Sequence, residues 1–118
     1  QVGVSVKAIV VECWSSKRYP GSDEFPLEIF INPKITAYSK KTVTDWEGCL
    51  SIPGYRGLVP RAHTITFTAL EPDGKKIART VSGFLARVIQ HETDHTMGIL
   101  FIDRMTDLSS FTCVMETE

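Results

Sequence analysis

The chain has 118 residues and a mass of 13.2 kDa, the usual size of one domain with one hydrophobic core. Its 42% hydrophobic and 23% charged residues are typical of globular proteins and exclude a disordered chain. The net charge of −1 offers no excess of positive charge for nucleic acid, and no apolar run approaches the roughly 20 residues of a membrane span. We therefore expect neither nucleic acid nor a membrane as a partner.

The first half of the chain is predicted to be mostly β-structure. Residues 5–12 are rich in β-branched side chains and predict a strand, and residues 13–26 are rich in turn formers and predict a surface loop. A second strand is predicted over 27–32, closed by Pro33, and a weaker third strand over 35–44.

The second half predicts a hairpin followed by a helix. Apolar residues alternate with threonines over 64–70, residues 71–74 form a turn, and residues 75–81 return as the partner strand. Ser82 is placed to cap a helix that begins at Gly83 and ends at Gly98, a position suited to a left-handed C-terminal cap. No internal repeat or linker is present, so we expect a single domain over 1–118.

The predicted helix carries the pattern H-E-x-x-H. His91 and His95 are four residues apart, so one helix face presents both imidazoles to a single metal ion, and Glu92 can reach a water on that ion. The alternative is a pair of partly exposed histidines with no ligand. Because Phe84 and Val88 share their stripe, both histidines should point towards the core, where unpaired imidazoles need polar partners. A metal ion would satisfy both.

A catalytic metal site needs a third protein ligand, and the candidates are His63 and Cys49. His63 is expected to be a surface histidine. Cys49 follows Gly48, which permits a close backbone approach, and precedes Pro53-Gly54, which predicts a turn. A buried inert cysteine is the alternative at this position. The three cysteines, Cys13, Cys49 and Cys113, are an odd number spread along the chain, which favours a reducing compartment over a disulfide framework.

Two motifs together give a resemblance to a known family. Glu47-Gly48-Cys49-Leu50-Ser51 and Gln90-His91-Glu92-Thr93-Asp94-His95 resemble the EGCLS and QHExDH motifs of peptide deformylases. The resemblance continues through Asn32-Pro33, Leu58–Arg61 and Gly98–Met105. Residues 1–4 are similar to the end of the family's first motif, so we expect the chain to be truncated at its N-terminus relative to the family.

The resemblance implies a fold, a metal site and an activity. The fold is α+β, with antiparallel sheets around a central metal-binding helix. The ligands are the Cys49 thiolate, His91 and His95, with water in the fourth position. The ion is usually ferrous iron, which zinc, nickel or cobalt can replace, and this donor set does not discriminate among them.

The implied reaction is removal of the formyl group from N-formylmethionyl ends of newly made polypeptides, with release of formate. Metal-bound hydroxide attacks the formyl carbon, with Glu92 as general base. The backbone N–H of Leu50 and the side chain of Gln1 stabilise the developing oxyanion. Phe84 and Val88 either line the methionine pocket or pack in the core.

Further expectations concern surrounding residues and partners. Asp94 either orients Arg61 or is a solvated carboxylate, and Trp46, Tyr55 and Arg56 either rim the substrate groove or simply pack. Some members of the family associate transiently with the ribosome. The family occurs in the bacterial cytoplasm and in mitochondria and plastids.

Two other functions remain open at this point. A zinc endopeptidase uses the same H-E-x-x-H helix, although its third ligand lies downstream and no histidine follows His95. A catalytically weak deformylase-like domain that binds a metal ion or a peptide end is the second.

Overall fold

Two antiparallel sheets and one helix make up most of the chain that the structure describes. The computed structural model describes residues 6–13, 25–49 and 52–113. The elements in chain order are β1 (Ala8–Cys13), β2 (Phe25–Tyr38), β3 (Thr42–Cys49), β4 (Ile52–Ala62), β5 (Thr64–Leu70), β6 (Lys76–Ser82), α1 (Gly83–Thr96) and β7 (Thr112–Cys113). Short 3-10 helices span Phe101–Arg104 and Leu108–Ser110. The first sheet has the strand order β1-β2-β5-β6, the second has β3-β4-β7, and the predicted α+β class is confirmed.

The hairpin predicted in the second half of the chain is confirmed. Strands β5 and β6 pair in a regular antiparallel register from Thr64 opposite Ser82 to Leu70 opposite Lys76. The turn between them is closed by a 2.8 Å hydrogen bond from the Gly74 N–H to the Glu71 carbonyl. The alternating pattern succeeded because Ile65, Phe67 and Ala69 are buried, whereas the threonines that alternate with them are partly or fully exposed.

Two predicted strand boundaries are wrong: Pro33 does not end a strand at residue 32, and no separate third strand covers 35–44. β2 continues through Pro33 to Tyr38, and β3 begins only at Thr42. The register between β2 and β5 shifts between Ile31 and Lys34, and Asn32 there has a φ of 51°. This bulge accommodates a proline that has no N–H to donate, so the strand bends instead of ending.

The turn predicted at Pro53-Gly54 is replaced by an irregularity inside β4, where the register with β3 shifts and Gly54 has a φ of 82°. Cys49 at the end of β3 pairs with Ile52 at the start of β4, and Pro53 belongs to β4. The close backbone approach expected at Gly48 is confirmed, because an added Cβ would lie only 3.2 Å from the Tyr55 carbonyl oxygen. Of the predicted loop 13–26, Cys13, Phe25 and Pro26 belong to strands, and 14–24 lie outside the described residues.

The helix α1 begins at Gly83 and is capped at Gly98 as the sequence predicts, but Ser82 does not cap its start. Gly98 has a φ of 75°, and the N–H groups of Gly98 and Ile99 donate to the carbonyls of His95 and Asp94, which is a Schellman cap. Ser82 occupies the N-cap position, but its hydroxyl makes no capping bond. That hydroxyl lies 2.9 Å from the Thr64 hydroxyl, because the preceding strand holds it in the sheet.

The core lies between the first sheet and one face of α1. Its buried residues are Ile9, Val11, Phe25, Phe30, Ala62, Ile65, Phe67, Ala69, Ala86 and Ile89. Other buried residues of α1 are polar, and several of them bond to β3 and β4. The helix therefore joins the first sheet through apolar contacts and the second through hydrogen bonds. Within the described chain, no helix is both long and apolar enough to cross a membrane.

Candidate metal centre

Three potential metal ligands meet where β3 ends beside α1. The side chains of Cys49, His91 and His95 each offer one ligand atom, and these atoms lie within 4.8 Å of one another. The Cys49 Sγ is 3.3 Å from Nε2 of His95. Two ligands of one tetrahedral ion are about 3.3–3.6 Å apart, so this separation fits a shared ion. Three protein donors of this type also leave a coordination position open, as catalytic sites require.

The helical spacing explains how the two histidines come together. They are one turn apart on α1, and their ring centroids are 4.4 Å apart. His91 is buried, whereas His95 and Cys49 are partly buried. The cluster therefore has a protected side within the protein and a side that solvent can reach.

A carboxylate lies beside the Nδ1 atom of each histidine, at hydrogen-bond distance for His91 and in a looser contact for His95. Nδ1 of His91 lies 2.8 Å from Oε1 of the buried Glu47, and Nδ1 of His95 lies 3.5 Å from Oε1 of Glu92. Because a carboxylate only accepts, the bond from His91 places a proton on Nδ1, so Nε2 is the nitrogen that can bind a metal ion.

Glu92 lies at the solvent side of the cluster. Its side chain is 36% exposed, and in addition to its contact with His95 it follows His91 directly on the helix. Its carboxylate is therefore open to solvent, unlike that of the buried Glu47. The two other residues predicted to take part in chemistry, Gln1 and Leu50, lie outside the described residues.

Sequence reasoning missed the buried ionic network around Glu47. Its Oε2 accepts from Nε of Arg61 at 2.9 Å and from Nη1 of Arg87 at 2.6 Å. Its Oε1 accepts from Nη2 of Arg61 at 2.9 Å and from Nδ1 of His91. A signal existed, because Glu47 is two residues before Cys49 and therefore shares its face of β3.

These contacts shift the pKa values of the groups that make them. Burial raises the pKa of Glu47, but hydrogen bonds and charges from Arg61 and His91 outweigh it and lower the pKa to about 2. Burial lowers the pKa of Arg61, whereas Glu47 and Asp94 raise it above its usual value. Burial likewise lowers the pKa of His91, and bonds to Glu47 and Cys49 raise it above the ordinary histidine value. Glu47 is therefore a carboxylate throughout the neutral range.

The expected pairing of Asp94 with Arg61 is confirmed, and the solvated alternative is wrong. Asp94 is only 6% exposed, and its Oδ2 accepts from Nη1 of Arg61 at 2.6 Å. Arg104, from the segment after the helix, donates to both oxygens of Asp94 at 3.0 Å. Arg104 was not predicted as a partner.

Among the other predicted residues, His63 lies outside the cluster, with Nδ1 3.0 Å from the Thr64 hydroxyl. Phe84 and Val88 are partly buried against the core, which agrees with the packing alternative. For Trp46, Tyr55 and Arg56 the structure shows packing contacts: the Arg56 guanidinium lies 4.8 Å from the centre of the Trp46 ring, and Tyr55 stacks on Phe111. Their place at the rim of a substrate groove stays a prediction.

Comparison with known proteins decides the family. The polypeptide deformylase family model matches residues 1–111. The chain belongs to the polypeptide deformylase family. The resemblance drawn from the two motifs is therefore confirmed.

Curated members of this family are similar over most of the chain. Peptide deformylase 1 of Nitrosomonas europaea is 46% identical over 94% of the chain, and peptide deformylase 2 of Pseudomonas syringae is 42% identical over the same share. The matched regions cover 63% and 62% of those two proteins. The chain thus spans about three fifths of the length of these deformylases.

Solved deformylases share the fold. A Met-Ala-Ser-bound class I type b peptide deformylase from Acinetobacter baumannii matches with a TM-score of 0.82 and 37% identity, over 84% of this chain and 62% of that one. A peptide deformylase from Synechococcus elongatus in complex with actinonin matches with a TM-score of 0.68 and 38% identity, over 72% of this chain and 47% of that one.

Proposed function

We propose that this protein is a peptide deformylase, which removes the formyl group from N-formylmethionyl ends of newly made polypeptides. The observation that carries the proposal is the meeting of Cys49 with His91 and His95 in one cluster, although they lie more than forty residues apart in sequence. Membership of the deformylase family supports the same reaction.

One divalent ion, held by Cys49, His91 and His95, would supply Lewis-acid activation of water and of the formyl oxygen. We propose ferrous iron as the native ion, with zinc, nickel or cobalt as replacements, in line with a donor set that suits all four. The thiolate and two neutral imidazoles fit such an ion, and the bond between Glu47 and His91 keeps one of those imidazoles in the required tautomer.

Glu92 has the position of a proton carrier. Its partly exposed carboxylate beside His95 takes a proton from the attacking water and returns it to the amine that leaves. Water adds to the formyl carbon, the C–N bond breaks, and formate and the free amino group are the products. We assign the backbone N–H of Leu50 and the side chain of Gln1 as donors to the developing oxyanion.

The proposed partner is the N-formylmethionyl end of a new polypeptide, met during transient association with the ribosome. The relatives named above are bacterial proteins, which supports a place in the bacterial cytoplasm over an organelle. A zinc endopeptidase is disfavoured because the deformylase family model accounts for 111 residues of the chain, including the third ligand upstream of the helix.

The test is formate release from N-formyl-Met-Ala-Ser by the purified chain loaded with Co²⁺ or Fe²⁺ under reducing conditions. We expect stoichiometric formate and free Met-Ala-Ser, and no product after treatment with a chelator. The matched substrate N-acetyl-Met-Ala-Ser should be left intact. Cleavage of its internal peptide bonds would favour an endopeptidase, and binding of metal without formate release would favour the catalytically weak domain.

A further inference from the structure

Arg87 is a buried cation on α1, one turn before His91, and the mechanism above does not use it. It is 6% exposed, and its Nη1 donates to Oε2 of Glu47 at 2.6 Å and to the Val59 carbonyl at 3.0 Å. Its Nη2 donates to the Val43 carbonyl at 2.6 Å. One side chain therefore connects α1 to a carboxylate of β3 and to the backbones of β3 and β4.

We propose that Arg87 is a positioning residue for the metal ligand His91, which it controls through the carboxylate of Glu47. This inference rests on the proposed function, because it requires that His91 binds a metal ion. The hydrogen bonds of Arg87 go to Glu47, Val59 and Val43 and to none of the three ligand side chains, so its effect is transmitted by Glu47.

The bonds around Glu47 show why a second arginine matters. Arg61 grips both carboxylate oxygens, but its Nη1 is also bonded to Asp94. A shift of Arg61 towards Asp94 would therefore carry the carboxylate with it. Arg87 holds Oε2 from α1, whereas Arg61 belongs to β4. With Oε2 held in this way, Oε1 remains directed at Nδ1 of His91. The orientation of that oxygen determines the ring plane of His91, as supporting carboxylates do at other metal sites.

The geometry also explains why this residue is an arginine. A planar guanidinium has donors in fixed and divergent directions, so Arg87 reaches Glu47, Val59 and Val43 at once. Lysine concentrates its donors on one nitrogen at the end of a flexible chain. Lys at position 87 would keep the charge but would not hold the carboxylate and both carbonyls together.

The experiment measures Co²⁺ binding and the visible spectrum of the Co²⁺ complex in the Arg87→Met and Arg87→Lys variants. The matched control is Arg79→Met, which removes another arginine paired with a glutamate, Glu28 at 2.7 Å, in the first sheet. We expect Arg87→Met to weaken Co²⁺ binding about 10–100-fold and to alter the spectrum. Arg87→Lys should lose less, and Arg79→Met should match the wild type.

A double-mutant cycle tests whether Arg87 acts through Glu47. Glu47→Gln should weaken Co²⁺ binding by itself, and adding Arg87→Met to it should cause no further loss. If the double variant instead loses Co²⁺ affinity by the product of the two single-variant factors, the proposed route through Glu47 is overturned. Should Arg87→Met fail to fold, Arg87→Lys carries the test, and wild-type affinity and spectrum in Arg87→Lys would overturn the proposal.

Two controls separate this inference from others. Thermal unfolding of the metal-free variants is measured in parallel, because a merely structural role would lower the melting temperature and leave Co²⁺ affinity and the spectrum unchanged. That outcome overturns the positioning role. A wild-type chain that binds no Co²⁺ would contradict the proposed function itself. If the wild type binds Co²⁺ and every Arg87 variant has the same affinity and spectrum, only this inference is contradicted.

Discussion

His91 and His95 lie one turn apart on α1, yet the carboxylates beside their Nδ1 atoms differ in burial and in bonding. Glu47, which contacts His91, is buried, has a pKa of about 2 and accepts bonds from two arginines. Glu92, which contacts His95, is partly exposed. At the scale of single residues the structure thus distinguishes a buried, firmly bonded carboxylate from one that solvent can reach.

The exposed position of Glu92 beside the cluster predicts the effect of substituting it. Glu92→Gln should retain the metal ion and lose about 10²–10⁴-fold in the rate of formate release, because it removes a general base and no ligand. Metal content and rate are measured on the same sample. Loss of metal together with activity would place Glu92 among the ligands and contradict this assignment.

The sequence identifies the site residues whose relationship is local. Helical spacing pairs His91 with His95, and the motif around Cys49 supplies a candidate third ligand. Asp94 and Arg61 were also paired correctly, with Arg61 taken as a candidate. Arg87 was missed because its partner Glu47 is 40 residues away, and no periodicity within one helix reveals a contact across two elements.

At the scale of elements, α1 presents two different faces to the two sheets. Ala86 and Ile89 pack in the core with the first sheet. Gln90 faces β4, where its side chain accepts from the N–H of Ala62 and donates to the carbonyl of the same residue. The helix thereby satisfies backbone groups of β4 as a neighbouring strand would.

Regular elements could be predicted and irregular ones could not. The β5–β6 hairpin and the end of α1 at Gly98 follow from alternation and from glycine's access to positive φ. The continuation of β2 through Pro33 depends on a bulge opposite β5, and that register exists only after the strands have paired. Composition alone therefore suggested two strands where there is one.

The two ends of α1 should respond differently to substitution. Gly98→Ala should destabilise the metal-free protein by about 1–2 kcal/mol, because φ is 75° there while an added Cβ meets no atom within 4 Å. Ser82→Ala should cost less than about 0.5 kcal/mol, because the Ser82 hydroxyl is exposed and caps nothing. Urea unfolding measures both changes. A loss of about 1 kcal/mol or more in Ser82→Ala would contradict the small contribution assigned to this hydroxyl.

At the scale of the whole molecule, the candidate site connects separate parts of the fold. Cys49 ends β3 in the second sheet, whereas His91 and His95 belong to the helix that covers the first sheet. A ligand that binds all three should therefore stabilise the folded chain as a unit.

This predicts a melting temperature that depends on metal concentration. At a free Co²⁺ concentration 100 times the dissociation constant, the folded state gains about 2.7 kcal/mol, which raises the melting temperature by on the order of 10 °C. The increase should disappear when a chelator is added. The same melting temperature with Co²⁺ and with chelator would mean that the ion does not bind the folded chain specifically.

The most direct test of the central claim is the metal content of purified wild-type protein beside Cys49→Ser, with Cys113→Ser as the matched control. Neither cysteine forms a disulfide among the described residues, and Cys113 is exposed in β7, outside the cluster of Cys49, His91 and His95. The account predicts one divalent ion per chain in the wild type and in Cys113→Ser, and little or none in Cys49→Ser after dialysis. A full equivalent of metal bound by Cys49→Ser with wild-type affinity would contradict it.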